Sequence, residues 1–110
     1  MEQNDKLVLV YTTFPAIEAA TATGEKLVKR RLAACVNMIP NMTSIYEWDG
    51  QLQRDSEVVM IVKTRSSHAA AVTAAIKADH TYDTPAVLVL PVDGGSEPYL
   101  AWLRAQTAVI

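Results

Sequence analysis

The sequence predicts an α+β domain whose elements follow the order β-α-β-β-α-β and end in one more helix. Two strand-like runs are each followed by a stretch with helical periodicity, and a long predicted hairpin links the two halves. The chain has 110 residues, of which 50% are hydrophobic and 20% charged, a composition typical of soluble globular proteins. We therefore expect a single domain covering residues 1–110 and built around one core.

The first strand and the first helix are predicted from the segment that ends near residue 32. The run KLVLVYTTF at 6–14 is rich in β-branched and aromatic residues, which is typical of a buried strand. Pro15 then favours a helix start, and small or apolar residues recur at helical spacing over 16–32. Gly24 falls on the inward face, so we expect the helix to pack closely against the sheet there. The inward face comprises Ile17, Ala20, Gly24, Leu27 and Val28.

A long β2–β3 hairpin is predicted over residues 34–64. The pair Asp49–Gly50 lies between two strand-like runs and is typical of a type I′ turn, which needs a positive φ at both residues. Each arm would hold about 13–15 residues and reach about 45 Å, whereas the first helix spans only about 25 Å. The tip should therefore project, and a partner chain would cover it. Pro40 interrupts the first arm, where we expect a bend. The tip carries Ile45, Tyr46 and Trp48.

The second half is predicted to contain a helix, a strand and a short last helix. The helix covers 66–79 with a serine N-cap, and AVLVLPV at 86–92 is typical of a buried strand. Ser96 caps the last helix. The order is that of the ferredoxin-like fold, in which both helices cover one face of a mostly antiparallel sheet and leave the other face bare. The bare face is a second reason to expect an oligomer. The predicted inward residues are Ala69, Val72, Thr73 and Ile76, then Tyr99, Leu100 and Leu103.

Charge and cysteine content exclude several classes of protein. The formal net charge is −2 and the pI about 5.6, so the chain lacks the basic stripe that nucleic-acid backbones require. One cysteine excludes an internal disulfide, and the N-terminus lacks a basic region followed by a long apolar stretch. No segment approaches the roughly 18 consecutive apolar residues of a membrane span. We therefore expect a cytoplasmic protein with neither nucleic-acid nor membrane partners.

The chain carries no strong catalytic or nucleotide-binding motif. The candidate functional residues are therefore individual polar side chains scattered along the sequence. A lone cysteine that opens a strand, as Cys35 does, is most often a small core residue. Lys63 closes an apolar strand, where it either extends its ammonium to solvent or anchors an anion in a cleft. Glu57 begins the same strand and shares its face with Lys63, and its simplest interpretation is an exposed strand end. The full set is Cys35, Asn37, Glu57, Lys63, His80, Tyr82 and Asp83.

His80 lies in KADHTYDTPAV at 77–87, where the second helix is predicted to end. Its simplest role is a cation near the helix C-terminus. Imidazole is also the commonest side-chain ligand for zinc and copper, so a ligand role stays open. Tyr82 is expected to pack its ring and to hydrogen-bond its hydroxyl.

Several blocks of the sequence resemble the family of the divalent-cation tolerance protein CutA. They are RRLAACVNMIPNMTSIYEWDGQLQ, SEVVMIVKT, the pattern H-x-Y-x-x-P at 80–85 and YLAWL at 99–103, in the family's order and spacing. The resemblance implies a ferredoxin-like homotrimer, related in architecture to the PII nitrogen-signalling proteins, in which hairpin strands pair between subunits. It also implies a role in tolerance of copper and other divalent metals.

The resemblance further implies metal ligands at Glu57 and His80. The chain departs from the family where HTYD replaces the usual HPYE, so that Thr81 removes a proline and Asp83 shortens a carboxylate. Thr12 stands where some members have a cysteine proposed as a copper ligand, and losing a soft thiolate weakens Cu(I) binding. The remaining site suits Cu(II), Zn(II) or another divalent ion. The implied intersubunit cleft holds Cys35, Asn37, Tyr46, Trp48, Lys63 and Tyr82.

Three functions are compatible with these residues. The first is a trimeric protein that binds a divalent metal or a small anionic ligand in its intersubunit clefts and has no enzymatic role. The second is a scaffolding trimer that recruits another protein through the hairpin tip. The third is an enzyme that uses His80 as general base and Lys63 as an oxyanion or phosphate anchor.

Overall fold

The four strands form one antiparallel sheet in the order β2-β3-β1-β4, which confirms the predicted ferredoxin-like topology. The structure is a computed structural model that describes residues 5–108. None of the helices within 5–108 combines the length and apolarity that a membrane span needs. The elements are β1 (Leu7–Phe14), α1 (Ile17–Lys29), β2 (Cys35–Trp48), β3 (Gln51–Arg65), a 3-10 turn (Ser66–His68), α2 (Ala69–Asp79), β4 (Val87–Pro91) and α3 (Glu97–Gln106).

The core lies between the sheet and the two long helices, α1 and α2. Alternate residues of β1 and β3, such as Val10 and Met60, face the helices and are fully buried. Leu27 of α1 and Ile76 of α2 belong to the same buried cluster as these strand residues. Full burial of each such side chain stabilises the fold by about 1.5–3 kcal/mol, so this single layer accounts for the position of both helices.

Two predictions about α1 have different outcomes. A Cβ on Gly24 would lie 3.2 Å from Cγ1 of Val36, which confirms the close packing expected at this glycine. Ile17 and Val28 were expected to face the core, and that prediction is wrong for the single chain, where both are exposed. The buried face of α1 comprises Ala20, Thr23, Gly24 and Leu27, so it is rotated away from Ile17 and Val28 relative to the predicted face.

The hairpin has the predicted length, turn and bend. Its strands hold 14 and 15 residues, and the molecule measures 46 × 25 × 21 Å, so the hairpin sets the long dimension. Asp49 and Gly50 have φ values of 54° and 77°, as a type I′ turn requires. The pairing of β2 with β3 shifts between Ile39 and Met42, which confirms an irregularity around Pro40.

The strand predicted at 86–92 is present as β4, but the prediction that it is buried is wrong for the single chain. Leu88 is 60% exposed and Leu90 is 43% exposed. Both pair with β1 and share the sheet face that α1 and α2 leave uncovered. Ile39 of β2 adds a third large exposed side chain to that face.

The start of α2 is anchored by Asp5 rather than by a serine cap. The hydroxyls of Ser66 and Ser67 donate to the Asp5 carboxylate over 2.9 and 2.7 Å, and Arg65 Nη1 lies 3.2 Å from it. Burial alone would raise the pKa of Asp5, but these hydrogen bonds, with the Ser67 amide, hold it well below its ordinary value. Arg65 Nε also donates to Thr107 over 3.0 Å, so both described ends of the chain meet at one arginine.

Candidate functional site

Glu57 lies in a pocket of hydroxyl groups at the junction of the sheet with the hairpin. Its side chain is only 9% exposed. The carboxylate accepts hydrogen bonds from Ser44 over 2.6 Å, and from Thr13 and Tyr82 over 3.2 Å each. These three donors come from β2, β1 and the loop after α2, and all of them are uncharged. The expectation that Glu57 is an exposed strand end is therefore wrong: it is a buried carboxyl group held by uncharged hydrogen-bond donors.

His80 lies beside this pocket, and both of its ring nitrogens have backbone partners. Nε2 lies 2.6 Å from the carbonyl oxygen of Thr13, to which it must donate. Nδ1 accepts from the amide of Tyr82 over 3.2 Å, which fixes the neutral tautomer protonated at Nε2. The ring also stacks on Phe14, with centroids 4.6 Å apart. In this geometry a metal can reach a nitrogen lone pair only after the Tyr82 amide is displaced.

The segment that follows α2 brings Tyr82 onto Glu57. The helix ends at Asp79, and the C-cap residue His80 has an extended backbone. The His80 ring contacts the Thr13 carbonyl near the end of β1, and Tyr82 follows two residues later. The Tyr82 ring then packs against His80 with centroids 4.6 Å apart. Burial and the neighbouring Glu57 charge raise the pKa of Tyr82, so its hydroxyl stays protonated and remains a hydrogen-bond donor.

Lys63 lies at the other end of β3 and does not join Glu57 within one chain. The two residues are six positions apart on one strand, which corresponds to about 20 Å. Lys63 Nζ donates to the Tyr99 hydroxyl over 3.1 Å, and Cys35 lies opposite Lys63 in the pairing of β2 with β3. Asn37 contacts the Cys35 sulfur at 3.8 Å. This group is therefore built around an ammonium, a phenol and a thiol.

A third group lies on the hairpin. The Tyr46 hydroxyl donates to Asp55, and this hydrogen bond is the main cause that raises the pKa of Tyr46 to about 12. Trp48 lies further out, next to the turn, and is exposed. Tyr46 and Trp48 continue the same sheet face as Ser44, because alternate residues of β2 share a face beyond the bulge.

The structure thus divides the predicted site residues among three places along the hairpin. Sequence reasoning included Tyr82 but missed the other two hydroxyl donors of Glu57, Ser44 and Thr13. It also missed Asp55 and Tyr99 as members of the candidate site. Ser44, Thr13 and Asp55 could have been found from the strand register, because each lies on the same sheet face as its partner and diagonally across from it on the neighbouring strand. Within residues 5–108, no three His, Cys, Asp or Glu side chains come together as a ready metal site.

The positions that depart from the CutA pattern differ in their surroundings. Thr12 is fully buried on the helix-covered face of the sheet, opposite to the face that carries Glu57. Thr81 and Asp83 are exposed in the loop that carries Tyr82.

An apolar groove of about 360 Å³ lies elsewhere, between α1 and β2, and it is lined by none of the predicted site residues.

Comparison with known proteins places the chain in a family. Residues 8–106 match the model of the CutA1 divalent ion tolerance protein family. The chain belongs to this family. It is 44% identical to the chloroplastic protein CutA of Arabidopsis thaliana over 97% of this chain and 60% of that protein. It is 44% identical to the divalent-cation tolerance protein CutA of Pectobacterium atrosepticum, over 90% of both.

A solved structure of a relative has the same fold. The crystal structure of CutA1 from Oryza sativa superposes with a TM-score of 0.90 at 42% identity, covering 94% of both chains. The chain nevertheless spans only 54–60% of the length of its relatives from Arabidopsis, rice and human.

Proposed function

We propose that this chain acts in divalent-cation tolerance as a homotrimeric, cytoplasmic binding protein whose principal metal ligand is Glu57. Its relatives from Pectobacterium atrosepticum and Escherichia coli, 44% and 43% identical, bear the name of divalent-cation tolerance protein. We favour a binding role over an enzymatic one. The candidate general base, His80, has both ring nitrogens hydrogen-bonded to the backbone, so neither is available to accept a proton from a substrate.

The observation that carries this proposal is the buried Glu57 carboxylate. Burying a charged carboxylate is costly unless a countercharge or several hydrogen bonds offset the lost hydration. Here the hydrogen bonds come from three hydroxyls, which carry no charge. A bound cation would add the missing countercharge, while the hydroxyl oxygens of Ser44 and Tyr82 could turn from donors into ligands or water anchors.

The donor set makes the choice of metal depend on His80. Carboxylate and hydroxyl oxygens suit hard ions such as Mn²⁺, whereas Cu²⁺ and Zn²⁺ favour an imidazole nitrogen. We propose that His80 becomes a second ligand for Cu²⁺ or Zn²⁺ once its Nδ1 exchanges the Tyr82 amide for the metal. A copper-type site therefore requires the loop 80–85 to shift, whereas a site for a hard ion does not.

The uncovered face of the sheet supports the homotrimer. Leu88 and Leu90 on one edge strand and Ile39 on the opposite edge strand are all more than 40% exposed on this face, and large exposed apolar side chains on one uncovered face favour an interface. A second copy of the chain is the occupant that family membership favours, and the long hairpin offers unpaired strand edges to it.

A scaffolding role is the second candidate, because the hairpin tip exposes large apolar side chains. Trp48 is 68% exposed and Leu52 is 77% exposed. If a protein partner binds there, Trp48→Ala should abolish its binding while metal binding at Glu57 stays unchanged.

Titration calorimetry with Cu²⁺, Zn²⁺ and Mn²⁺ tests the proposal, with the oligomer mass measured on the same samples. We expect saturable binding that Glu57→Gln abolishes for all three ions. His80→Ala should abolish the binding of Cu²⁺ and Zn²⁺ and spare that of Mn²⁺. Glu47→Gln, which alters an exposed carboxylate on the same hairpin, is the matched control and should change nothing. Unchanged binding to Glu57→Gln, or a monomeric mass, would overturn the corresponding part of the proposal.

A further inference from the structure

The Lys63 end of β3 combines one ammonium group with two aromatic rings from α3. Lys63 Nζ lies 3.1 Å from the Tyr99 hydroxyl and 5.3 Å from the centre of the Tyr99 ring. The shorter distance shows that Lys63 contacts the hydroxyl edge, so it does not sit on the ring face. Trp102 follows one helical turn later, and its ring centre is 5.5 Å from that of Tyr99.

Contacts other than the two rings also hold α3 on the sheet. Leu103 is buried with Leu7 and Ala34 in a small cluster under the helix. Thr107 and the Arg104 carbonyl add polar anchors to Arg65 of β3. Tyr99 and Trp102, by contrast, are 41% and 42% exposed. Both rings therefore keep part of their surface exposed in the single chain, where a ligand can contact them.

The hydrogen-bond direction at Lys63 leaves two donors available. Because the ammonium donates to the Tyr99 oxygen, the phenolic hydrogen is not used in that bond. The hydrogen bond to Tyr99 also raises the pKa of Lys63 despite its partial burial, so the side chain is charged at neutral pH. An ammonium N–H and a phenol O–H can thus converge on one anionic group.

We propose that Lys63, Tyr99 and Trp102 form a binding site for a small aromatic carboxylate. Its carboxylate accepts hydrogen bonds from Lys63 and Tyr99, and its ring stacks on the exposed indole of Trp102. The single ammonium group of Lys63 matches the single charge of a carboxylate. The two aromatic rings offer a surface for a flat apolar ring, which an inorganic anion does not have. The site lies about 20 Å from Glu57 along β3 and is independent of the metal proposal.

Binding of benzoate to the Trp48→Phe chain tests the proposal, because Trp102 is then the only tryptophan and its fluorescence reports on the site. Cyclohexanecarboxylate keeps the charge without the aromatic ring, and benzamide keeps the ring without the charge. We expect saturable benzoate binding that is more than tenfold tighter than that of either analogue. Equal affinity for benzoate and cyclohexanecarboxylate would overturn the role of the rings, and an absence of saturation would overturn the site.

Variants locate the site. Lys63→Met keeps the aliphatic stem and should weaken benzoate binding more than tenfold, while Lys77→Met, on the exposed side of α2, should leave it unchanged. Tyr99→Phe removes only the hydroxyl and should weaken binding severalfold, which keeps the test valid if Lys63→Met fails to fold. Benzoate affinity unaffected by both substitutions would refute the assignment. Glu57→Gln should retain benzoate binding, so the failure of this site and that of the metal site are distinguishable.

Discussion

Thr12 carries a buried hydroxyl group that has no hydrogen-bond partner among residues 5–108. Its side chain is fully buried. A buried polar group left unpaired costs about 1–3 kcal/mol, and valine has nearly the same shape without the hydroxyl. We therefore expect Thr12→Val to increase the free energy of unfolding by about 1–3 kcal/mol. In a domain of this size the Tm should rise by about 4 °C for each kcal/mol.

Thr64 provides the matched control. It is also fully buried and lies on the same helix-covered face of the sheet, but its hydroxyl donates to the Leu32 carbonyl over 2.6 Å. Thr64→Val leaves that carbonyl unpaired and should lower the free energy of unfolding by about 1–3 kcal/mol. The two identical chemical changes are thus expected to have opposite signs.

Guanidinium unfolding and thermal melting of both variants measure these changes. All samples must share one protein concentration, because the stability of the proposed homotrimer would depend on it. A Thr12→Val chain that loses stability as Thr64→Val does would refute the reasoning. It would mean that the Thr12 hydroxyl is hydrogen-bonded in solution, for example to a buried water.

Three further predictions concern the Asp5 anchor, α1 and the hairpin. The pKa of Asp5 is lowered in the folded state, so the Asp5 carboxylate contributes fully to the free energy of unfolding above the unfolded pKa of about 3.9. This contribution is lost as the pH falls below that value. Asp5→Asn should remove the loss from acid-unfolding curves. Gly24→Leu should cost about 1–3 kcal/mol in a thermal melt, because even a Cβ would lie 3.2 Å from Val36. Asp55→Asn should lower the pKa of Tyr46 from about 12 towards 10, followed by tyrosinate absorbance.

Each of these has a result that contradicts it. An acid-unfolding curve of Asp5→Asn that matches the parent would show that the carboxylate stabilises nothing. If Gly24→Leu kept the parental stability, β2 would have to move away from α1 to make room for the leucine side chain at little energetic cost. An unshifted phenol titration in Asp55→Asn would assign the raised pKa of Tyr46 to another cause, and Tyr46→Phe identifies which tyrosine signal is followed.

The order of elements, the hairpin and its turn could be predicted from sequence because they depend on local chemistry. Asp49–Gly50 needs only its own backbone preference to form the turn, and strand length follows from the runs that flank it. Burial of β4 could not be predicted in the same way. The apolar run at 86–92 is typical of a buried strand, but neither α1 nor α2 covers the face that carries Leu88, which is exposed in the single chain.

The candidate site was predictable as a set of residues but not as an arrangement. Glu57 and Lys63 share a strand face, as alternation predicts, yet the same strand keeps them about 20 Å apart. The partners of His80 are a carbonyl of β1 and an amide of its own loop, and backbone groups leave no mark in a sequence. Asp5 was missed for a different reason, because its side-chain hydrogen bonds join residues 60–62 positions apart.

The meeting of Asp5 and Thr107 at Arg65 has a practical consequence for engineering. Because the two described ends of the chain lie side by side, a short linker could join them, and the domain is a candidate for circular permutation. Arg65 closes β3 at the end remote from the turn, so a label attached beside Asp5 or Thr107 would lie about 45 Å from Gly50. Labels could therefore be added to the chain without obstructing the hairpin.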